Sequence, residues 1–182
     1  MNETKVILDA CCGGRMMWLN KKHPNALYID NRTFAKGGIP KYNPGFEVAP
    51  DIVMDFRDLK FPDKRFKLVV FDPPHLSTLT ETSILRKKYG CLNAETWQSD
   101  LTKAFSELWR VTDDYGVLII KWNDIEIPYK KILALFSQQP LFMNITAGRK
   151  YLKDGARSYW FCFMKLDTHN SSYENTNGGN KQ

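Results

Sequence analysis

Four short apolar runs, each closing on an aspartate, constrain this chain more than any other feature. Residues 6–10 (Val-Ile-Leu-Asp-Ala), 26–30 (Ala-Leu-Tyr-Ile-Asp), 51–55 (Asp-Ile-Val-Met-Asp) and 66–72 (Phe-Lys-Leu-Val-Val-Phe-Asp) all read as strands, and the acids stand where the next loop begins. The first run passes through Cys11-Cys12-Gly13-Gly14 into residues 15–22, whose composition predicts a helix. Residues 31–50 and 73–93 read as long irregular loops, the second rich in Ser, Thr and Leu. Between residues 94 and 111 the apolar positions Trp97, Leu101, Ala104, Phe105, Leu108 and Trp109 recur at helical spacing. Val117-Leu118-Ile119-Ile120-Lys121-Trp122 then has the near-continuous apolarity of a buried parallel strand. A helix over residues 128–138 follows, and runs at 141–146 and 158–166 around a turn at 148–155 form a hairpin expected to lie antiparallel to the rest. The pattern predicts an α/β fold with a doubly wound, mostly parallel seven-stranded sheet. In such a sheet ligands sit beyond the carboxyl ends of the strands, which brings the four acids to one cleft.

The chain has 182 residues, 43% hydrophobic and 25% charged, which excludes global disorder and favours one domain over residues 1–166. Residues 167–182 are polar and rich in Asn and Gly, and are expected to be a disordered tail. No apolar run approaches the roughly 20 residues of a membrane helix, and the first residues lack the pattern of a secretory signal. A soluble, cytoplasmic protein is therefore expected, with no membrane partner. Cys11, Cys12, Cys91 and Cys162 form no CxxC pair, so neither a zinc site nor a disulfide framework is expected. The net charge of +6 suits a polyanionic partner but does not demand one. Basic pairs such as Lys21-Lys22 and Lys130-Lys131 are scattered along the chain. Arg86, Lys87 and Lys88, inside the second long loop, are the ones expected to reach phosphates.

Three groups of residues carry chemistry. Gly13 and Gly14 after the first strand let the backbone approach a ligand closely, and Asp30 at the second strand end can accept bonds from both hydroxyls of a ribose. Adjacent glycines are not the G-x-G-x-x-G of a pyrophosphate site, which disfavours a dehydrogenase and favours an adenosine-type ligand without phosphates. Asp55-Phe56 can bond an adenine amino group and cover its ring. The sharpest feature is Asp72-Pro73-Pro74-His75. Two prolines stiffen the chain and fix the directions of the Asp72 carboxylate and the Pro73 carbonyl. Such an acceptor pair can grip both hydrogens of an exocyclic amine, whose lone pair is otherwise delocalised into its ring, and aim that lone pair at an electrophile.

These segments, in this order and spacing, resemble the class I S-adenosylmethionine-dependent methyltransferases, which have a Rossmann-like fold. Asp72-Pro73-Pro74-His75 looks like the (D/N/S)PP(Y/F/W) signature of the amino-methyltransferases that act on adenine N6 or cytosine N4, with His in the fourth place. The likeness spans residues 6–166 and is strongest to small, single-domain, phage-encoded enzymes. It implies S-adenosyl-L-methionine as cofactor, with Asp9, Gly13 and Gly14 along its methionine part, Ala10 and Cys11 also against it, Asp30 on the ribose and Asp55 with Phe56 on the adenine. It implies that Asp72 and Pro73 hold the target amine and that His75 stacks on the target base. The expected substrate is adenine N6 in DNA, with short or relaxed recognition because 182 residues leave no room for a recognition domain. RNA is the runner-up substrate, a non-catalytic phage regulatory or anti-restriction protein is the alternative from another class, and a monomer or homodimer is expected.

Overall fold

A computed structural model of the protein describes residues 5–37, 44–146 and 157–166. Its strands are β1 (Ile7–Asp9), β2 (Ala26–Asp30), β3 (Ile52–Val53), β4 (Phe66–Phe71), β5 (Thr112–Asn123), β6 (Phe142–Thr146) and β7 (Ser158–Met164). Its helices are α1 (Ile84–Tyr89), α2 (Trp97–Val111) and α3 (Tyr129–Leu133). The strands form one sheet in the order β3-β2-β1-β4-β5-β7-β6. The first five pair in parallel. β7 runs antiparallel to both β5 and β6, so β6 points the same way as β5. The terminal hairpin is therefore antiparallel within itself, and β7 alone is reversed in the sheet.

Side chains alternate across the pleat, and one face is the core. Leu118, Ile120 and Trp122 of β5 and Tyr159, Phe161 and Phe163 of β7 are buried on that face. α2 covers it with Leu101, Ala104, Phe105, Leu108 and Val111, the stripe that its helical spacing places on one side. Phe105 stacks on Phe136 at 4.4 Å between ring centroids and meets Phe163 edge-on at 5.3 Å. At the end of α2 the Thr112 hydroxyl donates to the Leu108 carbonyl at 2.7 Å as the chain turns into β5.

The other face is closed over β1 and β2 by the connection between those strands. This is where the structure departs most from expectation, because residues 15–22 form turns and no helix. Arg15 has a φ of 53°, in the left-handed region that stops a right-handed helix at once. Its guanidinium donates to the carbonyls of Lys21 and Ala49 at 2.8 and 2.7 Å and to Asp51 at 2.9 Å, and lies 3.8 Å from the centre of the Tyr28 ring. Tertiary bonds thus replace the intrahelical ones that the composition favoured.

Other elements also differ from their expected extents, β5 among them, which starts at Thr112 rather than Val117. The loop over 73–93 contains α1, capped by Ser83, whose hydroxyl accepts from the Arg86 amide, and by Gly90 at φ 81°. The third strand shrinks to two residues, leaving Asp55 beyond its end, and the helix expected over 128–138 is only five residues long. Trp122, fully buried with its indole donating to the Ile127 carbonyl at 2.9 Å, is a core residue. The turn at 148–155 and the tail at 167–182 lie outside the described residues.

Candidate functional site

The acids meet above the carboxyl ends of β1, β2 and β4. Asp9 and Asp30 are each 1% exposed. Asp9 accepts the Trp18 indole N–H on Oδ2 at 2.7 Å and the Cys11 amide on Oδ1 at 3.3 Å. Burial dominates its titration: despite those two bonds the carboxyl is pushed up to about 7, with the neighbouring Asp72 and Asp30 charges adding to the rise. Burial likewise pushes the Cys12 thiol up to about 12 and the Cys11 thiol well above its usual range.

Asp30 accepts the Gly13 amide on Oδ2 at 2.9 Å, which the φ of 46° at Gly13 makes possible. Both its oxygens also receive the Arg32 guanidinium, at 3.1 and 3.3 Å. Arg32, to which the sequence reading gave no role, thus occupies the position where a ribose was expected. Asp55 is held the same way by Arg57, which bonds it at 2.6 Å and also reaches Asp100 at 3.0 Å. Those Arg57 bonds, against burial, keep the Asp55 carboxyl below its ordinary range. Phe56 packs edge-on against Phe71 at 5.1 Å.

Asp72 follows β4 directly. Lys121, one strand over on β5, donates to its Oδ2 at 2.8 Å, and His75 Nε2 stands 3.1 Å from Oδ1. Burial pushes the Asp72 carboxyl up, but the His75 and Lys121 contacts outweigh it and hold the group below its ordinary value. Apart from that His75 contact, Asp72 Oδ1 has no hydrogen-bond donor, and His75 Nδ1 is buried without a hydrogen-bond partner among the described residues. Buried polar atoms are seldom left so, and at a cleft they await a ligand. The His75 ring sits edge-on to Trp122 at 4.9 Å, which fixes its plane.

Three cavities lie at this end of the sheet, and Asp72 lines two of them. A pocket of about 530 Å³ is lined by Asp72, Pro73, Pro74, His75 and Lys121 with the apolar Met16, Met17, Leu79, Leu85 and Tyr89. A second, of about 570 Å³, runs along Asn31, Arg32, Phe34, Phe56 and Arg57 to Leu92 and Asn93. Between them a slot of about 40 Å³ is walled by Asp9, Cys11, Cys12, Gly13, Gly14 and Asp72, with Lys88 and Tyr89 of α1 at its side. Ala10 is fully buried beneath it. Of the expected phosphate-contacting residues, Arg86 and Lys87 line the second pocket, where Arg86 pairs with Glu81 at 2.6 Å, and Lys88 lies over the Phe46 and Tyr89 rings.

The sequence reading missed Lys121, Arg32, Arg57 and Trp18. Lys121 had a visible signal, a cation at the end of an otherwise apolar strand beside an acid-closed one. It also missed Glu126, which accepts from the Ser77 and Thr78 hydroxyls and the Ser77 amide, tying the start of the second long loop to the segment after β5.

No protein-family model and no curated protein matches the sequence. Solved structures do match the fold. A Methanosarcina mazei protein described as a SAM-dependent methyltransferase superposes with a TM-score of 0.53 at 13% identity, covering 91% of this chain and 94% of that one. The fold is that of the S-adenosylmethionine-dependent methyltransferases. A putative methyltransferase from Bacillus halodurans matches with a TM-score of 0.49 at 10% identity over 88% of this chain and 92% of its own. A 16S rRNA (adenine(1408)-N(1))-methyltransferase variant from Catenulisporales acidiphilia, solved with its cosubstrate SAM, matches with a TM-score of 0.48 at 12% identity over 91% and 88%. No helix among the described residues is long and apolar enough to cross a membrane.

Proposed function

We propose that the protein is an S-adenosylmethionine-dependent N-methyltransferase that acts on an exocyclic base amine, adenine N6 in DNA by preference. The observation that carries this reading is Asp72: a carboxylate with one oxygen held by Lys121 and the other 3.1 Å from His75 Nε2 with no hydrogen bond assigned to it, at the wall of a pocket that also has apolar sides. A carboxylate so placed accepts an N–H from a flat, apolar-faced heterocycle, and the rigid Pro73-Pro74 step fixes the angle at which it does so. A purely binding module has no use for an acceptor kept ionised and unsatisfied at this cost.

The residues around the slot fit the cofactor. Asp9 and Asp72 line the slot beside Arg15, Arg32 and Lys88, and their carboxyl oxygens can receive the ammonium and face the sulfonium of such a ligand, while the second pocket offers Phe56 and the Asn31-Arg32 turn to its adenosine part. Bound there, the cofactor supplies an electrophilic methyl group. Asp72 orients the acceptor nitrogen and stabilises the positive charge that develops on it, Lys121 keeps Asp72 ionised, and His75 presents an imidazole to the base. Met16, Met17, Leu79 and Leu85 give the base an apolar wall beside the reacting amine.

Nucleoside mass spectrometry of DNA and RNA incubated with the protein and labelled cofactor tests the proposal. N6-methyladenosine in the DNA arm is expected. Label on RNA alone makes RNA the substrate, and cofactor binding without label in either arm overturns the enzymatic reading. Asp72→Ala is expected to abolish transfer while leaving cofactor affinity nearly unchanged.

A further inference from the structure

A fourth cavity, of about 690 Å³, lies on the far side of the Gly13-to-Met17 turn, over the β1–β2 connection that replaces a helix. Its cations are Lys5, Arg15, Lys21 and Lys22. Asp51 neutralises the first two, at 2.7 Å from Lys5 and 2.9 Å from Arg15. The acid on the opposite wall, Glu47, lies 3.5 Å from Lys36. Lys21 and Lys22 are exposed, and neither has an ion-pair partner among the described residues.

The backbone that carries these lysines is held rather than loose. Arg15 bonds the Lys21 carbonyl, the Tyr28 hydroxyl bonds the Asn20 carbonyl at 3.4 Å, and the Asn20 side chain accepts the Lys22 amide at 3.0 Å. Two unpaired ammonium groups on a braced turn cost repulsion that a bound anion would relieve.

The position of this groove gives it a use. Met16, half exposed, lines both this cavity and the pocket of Asp72, so the two meet across one side chain. A ligand with its reacting group at Asp72 and anions one residue further on spans both cavities, and a polynucleotide strand is such a ligand. Of the cluster that the sequence pointed to, Arg86 and Lys87 line the second pocket, away from this groove, and Lys88 lies at the slot and over the Phe46 ring on the groove's edge. We propose that the groove over the β1–β2 connection, with Lys21 and Lys22 as its cations, holds the sugar-phosphate backbone of a single-stranded nucleic acid beside the nucleotide whose base enters the Asp72 pocket. The proposal rests on the reading of that pocket as a base-amine site, and it places the strand across Met16 rather than along α1.

The test is fluorescence anisotropy of labelled single-stranded 12-mers, one DNA and one RNA, with the full chain. Lys21→Ala/Lys22→Ala is compared with Lys130→Ala/Lys131→Ala, which makes the same charge change on α3. The groove variant is expected to bind at least tenfold more weakly in the arm that the wild type binds, and its salt slope is expected to fall by about 1.4, two phosphates at about 0.7 each on a single strand. The α3 variant is expected to stay within threefold of wild type. Equal losses in both variants, an unchanged groove variant, or tighter wild-type binding to a duplex of the same sequence overturns the proposal. Binding that depends on Lys21 and Lys22 without any methyl transfer sinks the base-amine reading and leaves the groove. Methylation of the 12-mer with an unchanged KM in the groove variant does the reverse.

Discussion

Asp9 should make this protein lose stability as pH rises through the range where most proteins are indifferent to it. Its carboxyl is raised from 3.8 to about 7 in the folded chain, chiefly by burial. The folded state therefore binds the Asp9 proton more tightly than the unfolded state. Stability from this group is fully present below about pH 4, declines between pH 4 and 7, and is gone above the folded value. Integrated between pH 5 and 7, the loss is about 2 kcal/mol. Few other groups interfere in that window, because the shifted carboxyls of Asp51, Asp55, Asp72, Glu107 and Glu126 are all lowered and are ionised in both states by pH 5. Urea unfolding at half-unit pH steps measures the slope, with Asp9→Asn as the reference that cannot ionise. That variant leaves either the Trp18 or the Cys11 N–H without an acceptor, so its absolute stability is offset, and the comparison is between slopes. Parallel pH dependences in the two proteins would refute the reasoning. The same group predicts the linkage of cofactor binding. An ammonium placed beside Asp9 lowers its pKa, so binding at pH 7 should release about half a proton, read by calorimetry in two buffers of different ionisation heat. No release, with binding intact, would mean that the ammonium lies elsewhere.

Three further outcomes are expected. Lys121→Met removes the cation from Asp72 Oδ2 and leaves only the His75 contact to oppose burial, so the acid limb of the pH profile of kcat/KM should move to higher pH, and stability should fall by about 1–3 kcal/mol; an unmoved limb would show that Asp72 need not be ionised. Gly90→Ala forces a non-glycine residue to φ 81° and sets a methyl 2.9 Å from the Pro74 ring, so transfer should fall at least tenfold and stability in urea by about 1–3 kcal/mol; a variant with wild-type rates would separate α1 from the Pro73-Pro74 step. Phe105→Ala empties the centre of the aromatic stack under the sheet and should cost about 3–5 kcal/mol in urea unfolding, and a loss below 1 kcal/mol would contradict the packing described.

The parts of this molecule that were legible in the sequence share one physical origin, the need to bury apolar side chains on one face of a sheet. The apolar runs that became β4, β5 and β7 and the stripe from Leu101 to Val111 are local patterns, and such patterns survive in a sequence whatever surrounds them, although the alternate burial along those strands emerged only with the fold. The aspartates closing β1 and β2, and Asp72 just beyond β4, were readable for the same reason, because a strand end is where the apolar run stops. What was not legible rests on bonds between residues far apart in sequence. Arg15 bends the chain out of helix because Asp51 and Ala49 are there to receive it, 36 and 34 residues on. Lys121 meets Asp72 only because β5 lies next to β4, a pairing that the sequence implied but whose register it did not give. Arg32 lies two residues from Asp30, yet the choice between leaving that acid to a ribose and covering it with a guanidinium is made by the shape of the turn. The largest of these illegible features is also the one with the most consequence for partners. A helix after β1 would fill the space above β1 and β2; the braced turn that stands there instead leaves a cavity beside Asp72 with two unpaired lysines at its edge.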